Sequence, residues 1–135
     1  MCGIGMVWFR EGVEFDILEK MLNATEDRGH DAFGLIVLGP SEKSIAVKYT
    51  AKGRYSNHYN EIWDELPKHV NVGDIVLWNN RAKPMTELES NDEDTVQPIV
   101  YPGEKVALVH NGVVANEDEE FEYMFKWDEP HELIN

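Results

Sequence analysis

Five short apolar runs, broken up by turn residues, set the main limit on how this chain folds. They are Gly3–Phe9 (GIGMVWF), Ala32–Leu38 (AFGLIVL), Ser44–Thr50 (SIAVKYT), Gly73–Trp78 (GDIVLW) and Lys105–Val109 (KVALV). Their length and their β-branched and aromatic content read as strands rather than helices. Gly39-Pro40-Ser41-Glu42-Lys43 is short enough to join the second and third as a hairpin. Helical spacing recurs in three other places. Phe15, Leu18, Met21 and Leu22 make one face of a helix over Glu14–Glu26. Tyr59, Ile62, Trp63 and Leu66 do so over Asn57–Val70, with Pro67 as a stop. Phe121, Met124 and Phe125 mark a third helix over Asn116–Lys126, with Asn116 as its N-cap. Grouped hairpins with helices between them predict α+β layering, not the strict alternation of a parallel sheet.

At 135 residues, with no repeat and no linker-like tract, the chain is expected to form one domain over residues 1–135. Its formal net charge of −14 argues against nucleic acid or an anionic membrane as a partner, because phosphate binding rests on Lys and Arg. No apolar run approaches the roughly 20 residues that span a bilayer. No basic segment followed by an apolar core marks a signal peptide. A single cysteine excludes an internal disulfide and fits a reducing, cytoplasmic setting.

That cysteine, Cys2, lies directly behind Met1. A small second residue is the usual condition for removing the initiator methionine. The mature chain would then begin with a thiol and a free α-amine on one residue, with unperturbed pKa values of about 8.5 and about 7.7–8.0. Nucleophile and base would be joined, as in N-terminal threonine nucleophiles. Two other polar stretches follow directly on apolar runs, Asn79-Asn80-Arg81 and His110-Asn111-Gly112. Arg81 is suited to a bidentate grip on a carboxylate. The Asn111 amide and the Gly112 N–H are suited to an oxyanion. Taken locally, each has a plainer reading: a terminal small residue, a surface ion-pair residue, and the Asn-Gly hairpin turn. The acidic run through Glu87, Glu89, Asp92, Glu93 and Asp94 reads as a solvated loop. The five histidines lack metal-site spacing, and no cofactor is expected.

Together these motifs resemble the class II glutamine amidotransferase domain, the N-terminal nucleophile glutaminase of asparagine synthetases, glutamine–fructose-6-phosphate transaminases and amidophosphoribosyltransferases. The resemblance runs through Met1-Cys2-Gly3-Ile4, Arg28-Gly29-His30-Asp31 with Gly34, Asn80-Arg81-Ala82, Gln97-Pro98, and Val109 to Asn116 (VHNGVVAN). It implies a four-layer α/β/β/α sandwich of antiparallel sheets. It also implies Cys2 as nucleophile, its α-amine as base, Asn111 and Gly112 as oxyanion hole, and Arg81 as the group holding the carboxylate of glutamine. Arg28 and Asp31 would shape the loop beside the nucleophile.

Asn80 stands where the family usually has histidine or threonine. The aspartate that holds the substrate amine, usually in an S-D-S/T-E setting, has no counterpart in such a setting, and Asp128 is the nearest candidate by position. Strands completing the second sheet are missing too, so a shortened sandwich is expected. With no synthetase domain in the sequence, ammonia would pass to a separate acceptor enzyme. The alternative is a non-catalytic module on the same scaffold that docks a partner protein through its acidic surface.

Overall fold

The computed structural model describes residues 1–40, 45–82, 96–100 and 106–112. Its elements are β1 (Gly3–Trp8), α1 (Phe15–Glu26), β2 (Ala32–Leu38), β3 (Ile45–Lys52), α2 (Tyr59–Glu65), β4 (Ile75–Arg81), β5 (Ile99–Val100) and β6 (Ala107–Leu108). Single 3-10 turns at Tyr55–His58 and Leu66–Lys68 flank α2. β1 to β4 form one antiparallel sheet in the order β1-β4-β2-β3, and β5 pairs with β6 in a second.

One face of the larger sheet carries the core. Phe33, Leu35, Val37, Val76 and Trp78 point to the same side and meet Leu18 and Leu22 of α1 and Ile62 of α2, all buried. Burying a side chain of this kind stabilises the fold by roughly 1.5–3 kcal/mol relative to leaving it exposed. Tyr55, fully buried, closes the layer beside Phe33, and its hydroxyl accepts a hydrogen bond from Trp63 Nε1 at 2.6 Å. Glu26 ends α1 with its carboxylate turned inward. Ser56 N–H (2.9 Å) and Ser56 Oγ (2.7 Å) donate to its two oxygens, so the buried charge is hydrogen-bonded.

Most sequence expectations hold, with two informative differences. The helix expected over residues 57–70 is α-helical only for Tyr59–Glu65, and the chain tightens into a 3-10 turn at Leu66–Lys68. Pro67 has no N–H to contribute to the α ladder there. The strand expected to end at Trp78 instead runs on to Arg81. Asn79 and Asn80 each pair with both neighbours, Ile4 and Gly34 for the first, Gly3 and Phe33 for the second. A central strand satisfies its backbone on both sides, so polar residues continue it where their side chains find partners. The expected helix over residues 116–126, and the acidic run over residues 87–94, lie outside the described residues.

Two sheets and one helical layer are therefore seen, an α+β arrangement consistent with part of the expected sandwich. Among the described residues, no helix is long and apolar enough to cross a membrane.

Candidate active site

The site lies at the end of the sheet where β1 begins and β4 ends. Gly3 is paired with Asn80, and carrying that register back by one residue sets Cys2 opposite Arg81. Residues directly opposite in an antiparallel pair share a face. Asn80 faces α1, so Cys2 and Arg81 lie on the other side of the sheet. Cys2 is half-buried there, with Sγ 3.8 Å from the Ala82 carbonyl oxygen.

Asn111 reaches this point from the far end of the described chain. Cys2 N–H donates to Asn111 Oδ1 at 3.1 Å, joining residues 109 positions apart. That bond also fixes the orientation of the Asn111 amide. Its oxygen faces the Cys2 nitrogen, so Nδ2, the only donor of the side chain, is directed elsewhere. Gly112 follows immediately, with the His110 ring 3.2 Å from where a side chain would begin. Cys2, Arg81, Asn111 and Gly112 are thus gathered at one end of the fold.

The supports come from motifs whose spacing alone gave them no role. Arg28-Gly29-His30-Asp31 crosses from α1 into β2 against the end of β4. A side chain at Gly29 would collide with the Asn80 carbonyl, and Asp31 N–H donates to the Arg81 carbonyl at 2.9 Å. Thr25, on the last turn of α1, is a hub. Its hydroxyl accepts from Trp78 Nε1 and Asn80 Nδ2, both at 2.9 Å, and lies 3.0 Å from the Met21 carbonyl to which it donates. One donor and two acceptor positions are all in use. This gives Asn80 its place: it ties β4, one residue before Arg81, to the helix. Nothing in the sequence pattern singled out Thr25. Among the described residues, Asn80 Oδ1 and Asn79 Oδ1 are buried acceptors that meet no hydrogen-bond donor.

Gln97-Pro98 lies over the opposite face of the sheet. Gly34 makes that approach possible, because a side chain at this position would strike the Gln97 carbonyl. Val96 is buried beside it. Asp128, the candidate for the substrate amine, lies outside the described residues. Among the described residues, no group of three or more His, Cys, Asp or Glu side chains gathers to hold a metal ion.

Relatives are similar to this chain over most of its length. A 7-cyano-7-deazaguanine synthase 2 of Sulfurisphaera tokodaii is 34% identical over 123 residues, 87% of this chain and 25% of the relative. A 7-cyano-7-deazaguanine synthase of Sulfolobus acidocaldarius is 34% identical over 110 residues, 81% of this chain and 22% of the relative. A glutamine–fructose-6-phosphate aminotransferase (isomerizing) of Methanosarcina mazei is 31% identical over 116 residues, 86% of this chain and 17% of the relative. The chain is homologous to class II glutamine amidotransferase domains. It spans about a quarter or less of the length of these curated relatives. No family model and no solved structure matches it.

Proposed function

We propose that this amidotransferase homologue hydrolyses the side-chain amide of glutamine and supplies ammonia to a separate acceptor enzyme. The observation that carries the reading is the 3.1 Å contact between the Cys2 nitrogen and Asn111 Oδ1. It sets the nucleophile's own nitrogen against the residue best suited to stabilise an oxyanion. Met1 is 84% exposed, open to an aminopeptidase, and its removal turns the Cys2 nitrogen from an amide into an amine.

Cys2 Sγ then attacks the side-chain carbonyl carbon of glutamine while the α-amine takes the thiol proton. Oxygen in the tetrahedral intermediate becomes negative and accepts hydrogen bonds from Asn111 Nδ2 and Gly112 N–H. The C–N bond breaks, the ammonium returns its proton to the leaving nitrogen, and ammonia departs from a γ-glutamyl thioester. Water adds to the thioester with its proton going to the same amine. The C–S bond breaks, giving glutamate and the thiol. Arg81, opposite Cys2 on the strand pair, holds the substrate α-carboxylate. Such a thiol persists in a reducing, cytoplasmic compartment.

The test is ammonia release from glutamine by Met-processed protein, with Cys2→Ala as control. The expected result is turnover that vanishes in Cys2→Ala while the melting temperature stays within a few degrees. Turnover that survives this substitution, or Met1 retained on the active natural protein, would sink the reading.

A further inference from the structure

We infer that Gln97 is the positioning residue that holds the oxyanion loop in register with the nucleophile. One atom does this. Gln97 Oε1 accepts from Asn79 Nδ2 at 3.0 Å and from the His110 backbone N–H at 2.5 Å. Asn79 belongs to β4, two residues before Arg81, and His110 directly precedes Asn111. The side chain therefore links the strand bearing the carboxylate-binding arginine to the loop bearing the oxyanion donor.

The chemistry of the contact fixes its direction. A backbone N–H can only donate, so the Gln97 atom facing His110 is the amide oxygen. Asn79 must then present its nitrogen to the same oxygen, which turns Asn79 Oδ1 away. Beyond His110, Asn111 Oδ1 accepts from Cys2 N–H. A chain of oriented amides thus runs from β4 through Gln97 and the 110–111 backbone to the Cys2 nitrogen. β5 starts two residues after Gln97 and pairs with β6, which ends two residues before His110. The β5–β6 pairing and the side-chain clamp thus join the same two segments side by side. A carbonyl oxygen with two acceptor positions, at the end of a two-carbon stem, meets both donors. Leucine or methionine fills the space without a comparable acceptor, and glutamate keeps it.

The kinetic arm of the test rests on the glutaminase reading, and a second arm does not. Loss of a whole oxyanion donor costs about 10²–10³ in kcat, and a misplaced one is expected to cost ten-fold or more. Q97M should therefore lower kcat at least ten-fold with the KM for glutamine changed less than three-fold. Q97E should stay within about three-fold of wild type on both, because both donors keep their acceptor. Equal losses in Q97M and Q97E, or wild-type kcat in Q97M, would overturn the inference. Should Q97M not fold, Q97L takes its place in the same comparison.

The independent arm is amide hydrogen exchange at His110, read against Leu22 in α1. Faster exchange at His110 in Q97M, restored in Q97E, with Leu22 unchanged, supports the clamp. Unchanged His110 exchange in Q97M overturns it. Absence of turnover in wild-type protein would remove the proposed function, and the exchange experiment would still decide the clamp.

Discussion

The two faces of the four-stranded sheet are built on opposite principles. Toward α1 and α2, the strands present Phe33, Leu35, Val37, Val76 and Trp78 to a closed apolar layer. The few polar groups there are partnered across the layer, Thr25 of α1 with Trp78 and Asn80 of β4, and Glu26 with Ser56 in the turn before α2. Away from the helices the same strands carry Asn79 and Arg81, with Gln97 and Asn111 brought over them, while Ile4, Met6 and Trp8 along β1 are 41%, 57% and 55% exposed. The first face is fixed by volume. The second is fixed by hydrogen-bond direction, one amide at a time. Burial energy and chemical geometry are thus assigned to opposite sides of one set of strands, and substitutions on the two sides should have separable effects.

Leu22→Ala should give the largest effect on the apolar side. Truncating a fully buried leucine to alanine typically costs about 2–5 kcal/mol, and Leu22 has no solvent exposure. Chemical denaturation should show the loss, while kcat per folded molecule stays within a few-fold. A variant of wild-type stability would contradict the division of labour. Asn111→Ala should do the reverse, with kcat for glutamine hydrolysis lower by about 10²–10³ and a nearly unchanged unfolding midpoint. Equal damage to stability would show that the contact with Cys2 is structural and not chemical.

The smallest effect concerns alkaline pH. Burial pushes the Tyr55 hydroxyl from 10.0 up to about 12, and the Tyr49 hydroxyl, partly buried and bonded to Glu61, is also raised to about 12. The folded state then holds these protons more tightly than the unfolded chain. That contribution to stability is complete below pH 10 and is lost as pH rises from 10 toward 12. Tyr55→Phe should lose about 1 kcal/mol at neutral pH, from the Trp63 hydrogen bond, and should flatten the alkaline decline. A denaturation series between pH 8 and 12 reads both. An unaltered decline would place its origin elsewhere.

The strands and the first helix were legible because apolar periodicity reports directly on a face that must be buried. β2 falls on the expected residues, and α1 begins one residue later than expected. Position in the sheet was not legible. Nothing in IVLWNNR announces that its two asparagines remain paired on both sides, because polar side chains there depend on Thr25 and Gln97, distant in sequence. The site candidates Cys2, Arg81, Asn111 and Gly112 could be named from residue type and resemblance. What could not be named was the support. A hydroxyl that accepts two bonds, or an amide oxygen shared by two donors, leaves no periodic trace. Gly29 and Gly34 were visible as motif members, but the carbonyl groups they make room for were not.

The register of β1 on β4 has one more consequence. Side chains alternate along a strand, so a slip of one residue would turn Cys2 toward the helices and carry it away from Arg81. Gly3 opposite Asn80 is the pairing that prevents this, and it lies at the very start of a six-residue strand. Under the proposed glutaminase reading, turnover is therefore a gauge of alignment. A single residue inserted within Gly3–Trp8 could leave the composition of the strand and most of its backbone hydrogen bonds in place while silencing the thiol. Measured against an insertion of two residues, which restores the phase, such a pair of variants would read the pairing of two strands through the appearance of ammonia.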